Sequence, residues 1–280
     1  MTSNPLVIEP GQKKTRYWWD LWEYRELFFF LTWRDVAVRY KQTLLGIGWA
    51  VFQPLISMII LTVVFGSIAR LDDQTNVPYA FLVLTGILPW QLFTTILNAA
   101  SNSLVASSRL FTKVYFPRLL IPISVVGVAL VDFLISFALL LIMALGYLVF
   151  ADGVLLISPR LLLLPVPIVF ACITALSIAI WFATLNVKYR DFRIIMPFVV
   201  QFGVFLTPVG YSSSVVERFP LLLILNPMAQ IIDGFRWVLL GQESNLDPYK
   251  LTVSFCMVGL ILWSGILYFR RVEDRLADVV

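Results

Sequence analysis

The chain has 280 residues, of which 60% are hydrophobic and 14% charged, with a formal net charge of +4. A soluble domain carries about 25% charged residues, and a soluble core of this length could not bury so much apolar surface. An ordinary soluble globule is excluded, and lipid is the simpler solvent.

Asp, Glu, Lys and Arg are absent from 42–69, 74–108, 161–187, 194–216 and 251–269, and 119–151 holds Asp132 alone. Each stretch can supply the roughly 20 residues that a helix needs to cross a ~30 Å hydrocarbon layer. Read in chain order, 1–22 is a cytoplasmic tail with no apolar core before a small-residue cleavage site, so no secretory signal is expected. Segment 23–45 reads as an amphipathic helix lying in the membrane interface. Thr32 followed by Asp35 fits a capping box, Trp33, Val36, Ala37, Tyr40 and Leu44 recur at helical spacing, and Asp35 can pair with Arg39 one turn on. Gly46 and Gly48 allow a bend before the first span, and Pro54 should kink it.

Six spans follow, near 49–69, 79–101, 119–149, 161–185, 194–211 and 251–269. The third is longer than one crossing needs, so it is tilted, kinked or extends past the bilayer. Segment 212–250 is apolar but interrupted by Glu217, Arg218, Pro220, Pro227, Asp233 and Arg236. Asn226-Pro227 is a helix start and Gly241 a stop, which gives a helix too short to span and therefore a re-entrant or interfacial element. The fold class is thus all-α: one membrane domain, 23–280, with an interface helix, six spans and short re-entrant helices between spans five and six.

Basic residues orient the domain. With the N-terminus inside, the inner segments hold 16 of the 21 Lys and Arg residues, and every inner segment holds at least three. Both termini are then cytoplasmic, and the net charge reflects topology rather than a nucleic-acid partner. Cys172 and Cys256 fall in spans and read as packing residues. No histidine and no ligand-like cysteine spacing support a metal site, and no G-x-x-x-x-G-K-[ST] loop supports ATP binding in this chain.

The stretch from Trp33 through Arg-Asp-Val-Ala-Val-Arg-Tyr-Lys-Gln-Thr-Leu-Leu-Gly-Ile-Gly to Trp49, ending at Pro54, resembles the membrane subunits of type-2 ABC exporters of lipid-linked O-antigen, capsular polysaccharide or teichoic acid. Leu88-Pro89-Trp90, Phe111 through Arg118, and Asn226-Pro227 with Asp233 and Arg236 match in the same order. The resemblance runs from about residue 23 to the end. It implies a homodimer in a bacterial cytoplasmic membrane, with two copies of a separate ATPase that binds ATP and Mg. It implies no enzymatic activity in this chain, a coupling helix in 102–118, and outer gate helices carrying Asn226, Pro227, Asp233 and Arg236.

Several residues carry two readings. Arg109, Phe111, Lys113, Tyr115 and Arg118 suit docking on the ATPase, with apolar anchors and a cationic rim, or an ordinary basic inner loop; Lys188–Arg193 is a second candidate contact. Arg34, Arg39 and Lys41 suit capture of a lipid diphosphate head or attraction to anionic membrane lipids. Trp90, Phe93, Trp181, Phe198, Phe202 and Phe205 suit a glycan channel lining, since sugar C–H faces stack on aromatic rings, or helix packing and lipid contact. Asp132, an acid inside a span without an intramembrane basic partner, suits proton transfer in a secondary transporter or a hydrogen bond between helices. A membrane-embedded glycosyltransferase is a further class, with Asp72, Asp73 and Glu217 as the available carboxylates.

Overall fold

The computed structural model describes residues 17–41, 46–71, 77–107, 116–150, 159–189, 191–241 and 247–273. All regular elements among the described residues are helical. Helix α1 spans Tyr17–Glu23 and α2 spans Arg25–Lys41. Helix α3, Gly46–Leu61, runs through Pro54 and continues as a π-helical stretch, Thr62–Ile68. Then come α4 (Tyr79–Ala106), α5 (Leu120–Phe150), a 3-10 turn at Pro159–Leu163, and α6 (Pro165–Lys188). Helix α7 is Phe192–Leu206, followed by a 3-10 turn at Ser213–Val216, α8 (Pro220–Leu225), α9 (Pro227–Leu240) and α10 (Pro248–Glu273).

Among the described residues, five helices are long and apolar enough to cross a membrane: Gly48–Ile68, Tyr79–Ala106, Leu120–Val149, Pro159–Lys188 and Pro248–Glu273. The expected span at 194–211 coincides with α7, which is 15 residues long or about 22 Å at 1.5 Å per residue. The chain leaves helical geometry at Thr207, whose φ of −107° and ψ of 137° are extended. Helix α5, at 31 residues, measures about 46 Å, well beyond one hydrocarbon layer.

Helix α4 forms the centre, with every residue from 81 to 90 buried. Its main neighbours are α6 and α5. Small residues explain the close approach. Ala171, Ala175, Ala179 and Ala183 recur every four residues along α6, all fully buried, and such a stripe lets helix backbones come together where lipid offers no hydrophobic drive. Helix α10 packs on α6, where a Cβ at Gly265 would stand 2.9 Å from the Trp181 ring. The cysteines are free, Cys172 buried and Cys256 exposed.

Helix α2 begins at Arg25, so Thr32 lies inside the helix and caps nothing. Helix α9 starts at Pro227 with the Asn226 side chain accepting from the Met228 N–H, and stops at Gly241 in the left-handed conformation, φ 63°, which glycine adopts without a Cβ penalty.

Candidate functional site

Two polar clusters tie the non-spanning elements to the bundle. The first fixes α2 to α5. The Thr32 hydroxyl donates to the Ser124 carbonyl at 3.1 Å, and a Cβ at Gly127 would overlap Thr32 Cγ2. Eight residues further along both helices the Tyr40 hydroxyl donates to Asp132 Oδ1, and the adjoining Arg39 guanidinium pairs with Asp132 Oδ2 at 2.7 Å. Equal advances in the same direction make the two helices parallel over about 12 Å. Burial, then the Asp132 carboxylate, push the Tyr40 phenol above its ordinary range.

This cluster corrects three expectations. Asp132 has a basic partner, supplied by the helix that precedes the first span. Asp35 pairs with the adjacent Arg34 at 2.8 Å rather than with Arg39. Tyr40, on the stripe of α2 that its amphipathic spacing would turn to lipid, faces α5. Asp132 stands twelve residues into α5, about 18 Å from the start of a helix longer than the bilayer, so it need not lie at the membrane centre. Of the three cations proposed for a diphosphate head, Arg34 and Arg39 hold carboxylates and Lys41 is exposed at the end of α2.

The second cluster surrounds Arg236 on α9. Its side chain is buried, and it donates to the carbonyls of Leu82 (3.1 and 3.3 Å), Val209 (2.9 Å) and Tyr211 (2.9 Å). The Tyr79 hydroxyl donates to the Gly210 carbonyl at 2.6 Å. The non-helical stretch after α7 therefore has its carbonyls satisfied by side chains from α4 and α9. Asn226 joins the same stretch through Thr207 Oγ1 at 2.8 Å. One turn before Arg236, Asp233 accepts from the Ser213 hydroxyl at 2.6 and 2.7 Å. Burial raises the Asp233 carboxyl above the usual range, against the pull of Arg236 and Ser213. Burial likewise lowers Arg236 to about 10, opposed by Asp233, Tyr79 and Tyr211, so the guanidinium stays charged at neutral pH. All four residues expected at an outer gate thus belong to α9 or its cap, and three of them bond to neighbouring elements.

The aromatic residues divide. Trp90 and Phe93 are buried in α4, with ring centroids 5.4 Å apart. Trp181 stacks on Tyr268 at 4.9 Å and donates from Nε1 to the Ile261 carbonyl at 3.2 Å and Ser264 Oγ at 3.3 Å, which makes it a packing residue between α6 and α10. Phe198, Phe202 and Phe205 are each more than half exposed along α7. Arg118 is held by the end of α10: its N–H donates to Glu273 Oε1 at 3.1 Å and its guanidinium to the Glu273 carbonyl. Arg109, Phe111, Lys113 and Tyr115 lie outside the described residues. Among the described residues no group of His, Cys, Asp and Glu could hold a metal.

Residues 26–240 match the profile of the family described as ABC-2 type transporter. The chain belongs to that family. The matched stretch of the ABC-2 domain runs from α2 to the end of α9, so both polar clusters lie within it. Among its relatives, the O-antigen export system permease protein RfbA of Myxococcus xanthus is 26% identical over 266 residues, covering 93% of this chain and 98% of the relative. RfbA of Klebsiella pneumoniae is 26% identical, covering 91% and 95%. The polysialic acid transport protein KpsM of Escherichia coli is 22% identical, covering 87% and 92%.

With its several long apolar helices, this ABC-2 protein is a multi-pass membrane protein. Sequence reasoning missed the partners of its clusters. Ser124, Gly127, Thr207 and Ser213 act through single hydrogen bonds or a close approach between elements distant in sequence. A usable signal existed for Asp132: a carboxylate in an apolar span needs a partner, and Arg39 is the last arginine before the first span.

Proposed function

We propose that this chain is the membrane subunit of an ATP-driven exporter of a lipid-linked polysaccharide, O-antigen-like in kind, in a bacterial cytoplasmic membrane. The observation that carries this reading is correspondence over nearly the whole chain with permeases named for O-antigen export and for polysialic acid transport. The chain itself is no enzyme; a partner ATPase binds ATP and Mg, with two copies serving a homodimer of this subunit.

Both termini are cytoplasmic, which requires an even number of crossings. Five long helices and α7 make six. Helix α7 alone is too short, but the non-helical stretch 207–211 lengthens its path. Irregular backbone at membrane depth is tolerated only where protein satisfies it, and Arg236 and Tyr79 do that here. The exposed Phe198, Phe202 and Phe205 stripe supports a second copy or a glycan path on that face. On ATP binding, the partner would move α2 and, through the Arg39–Asp132 pair, α5 with it.

The test is purification in mild detergent and recovery of any ATPase that comes with it. A stoichiometric complex whose hydrolysis responds to lipid-linked glycan is expected. A folded, active subunit that transports without any ATPase would overturn the reading.

A further inference from the structure

A cavity of about 60 Å³ lies between α2, α3, α4 and α5. Its polar lining includes Gln53 on α3, Gln91 and Thr95 on α4, and Asp132 on α5. Asp132 is engaged by Arg39 and Tyr40. The other three are not: among the described residues, the side chains of Gln53, Gln91 and Thr95 have no hydrogen-bond partner. Gln53 belongs to the span Gly48–Ile68 and the other two to Tyr79–Ala106, where a polar group without a partner is costly. Two primary amides and a hydroxyl left unpaired around one cavity call for a ligand that supplies several donors and acceptors.

Trp49 also lines the cavity, is 58% exposed, and stands 5.9 Å from the half-exposed Phe52 ring. Amides that read hydroxyl pairs beside an aromatic face suit a carbohydrate. The cavity has room for several waters at about 10–15 Å³ each, so it admits a hydroxymethyl arm or one edge of a sugar while the ring stays outside against Trp49. Gln53 stands five residues into its span, about 8 Å from the end that adjoins α2. That depth is close to the headgroup level.

We infer that Gln53, Gln91, Thr95 and Trp49 form a glycan subsite that reads the hydroxyls of the sugar next to the lipid carrier. The inference rests on the exporter reading and deepens it: it places discrimination of glycosylated from bare carrier inside one subunit.

The test uses the complete transporter with its ATPase in lipid nanodiscs. The probes are the host's lipid-linked glycan and the same carrier diphosphate with the glycan removed. Gln91→Leu and Thr95→Val should each raise the half-maximal concentration of glycosylated carrier for ATPase stimulation about tenfold relative to that of bare carrier, as loss of one or two hydrogen bonds implies. Gln53→Leu, on the exposed side, serves if Gln91→Leu is not recovered as a complex. Equal shifts for both carriers, or no shift, would overturn the subsite and leave the cavity to water or to packing by a second copy. A wild-type complex that responds to neither carrier would overturn the exporter reading itself.

Discussion

Arg236 on α9 and Val209, in the non-helical stretch after α7, are joined by a 2.9 Å hydrogen bond from Nη2 to the backbone carbonyl. The same guanidinium also serves Leu82 and Tyr211, so one side chain closes three carbonyls on two elements. Arg236→Met takes this donor from the Val209 and Tyr211 carbonyls, at about 1–3 kcal/mol for each that stays dry, while Leu82 keeps the Thr85 hydroxyl. The expected outcome is a large fall in thermal stability in detergent and loss of export. Arg236→Lys keeps the charge but lacks the planar fork, and should fall between wild type and Arg236→Met in the same melting assay.

Gly86 permits that arrangement. A Cβ there would overlap the Val209 carbonyl and stand 2.8 Å from Arg236 Nη2. Gly86→Ala should therefore push the non-helical stretch off α4 and abolish export, although alanine is the better helix former. Gly234 and Gly259 are the controls, since a Cβ at either meets nothing within 4 Å. Gly234→Ala and Gly259→Ala should be neutral or stabilising by up to about 1 kcal/mol. Melting temperatures of the three variants separate the two classes.

The contrast between α9 and α2 explains which parts could be read from sequence. Helix α9 is bounded by local chemistry, an asparagine cap, a first-turn proline and a terminal left-handed glycine, all within sixteen residues, so its limits follow from the sequence. The apolar stretches are equally local, and they locate the five long helices. At α2 the local signal misleads. The Thr32 hydroxyl is taken by Ser124, 92 residues away, rather than by a helix N-terminus, and Arg39 is drawn from its i−4 neighbour by a carboxylate on α5. The same holds for Arg236, whose partners are backbone carbonyls 25 to 154 residues distant. Backbone acceptors carry no residue identity, so no sequence pattern marks them. The helical length of the fifth predicted span was hidden for a related reason: 194–211 is apolar throughout, but helix α7 ends at Leu206, where the following backbone is held by α4 and α9.

Trp181 and Phe202, paired in sequence reasoning as channel aromatics, should separate experimentally. Trp181 packs on Tyr268 over Gly265, so Trp181→Ala should cost about 3–5 kcal/mol and lower the melting temperature. Phe202 is 61% exposed, so Phe202→Ala should change subunit stability by no more than about 0.5 kcal/mol and yet reduce export or dimer recovery. Size-exclusion mass together with glycan surface staining distinguishes these two effects.

The Arg39–Asp132 pair sets two roles for Arg39 against each other. If Arg39 holds α2 on α5, Arg39→Gln and Asp132→Asn should weaken the subunit in similar ways. Their combination should then be less than additive, with a coupling of about 0.5–3 kcal/mol between contacting groups. Exchanging the charges, Arg39→Asp with Asp132→Arg, should restore part of the stability and part of the export, because the ion pair re-forms with reversed polarity. If Arg39 instead captures a diphosphate, the exchange places a carboxylate against an anion, and export stays lost even where stability returns. Thermal melts and glycan surface staining on the same four proteins decide between the two, since only the anchoring role lets both readouts recover together.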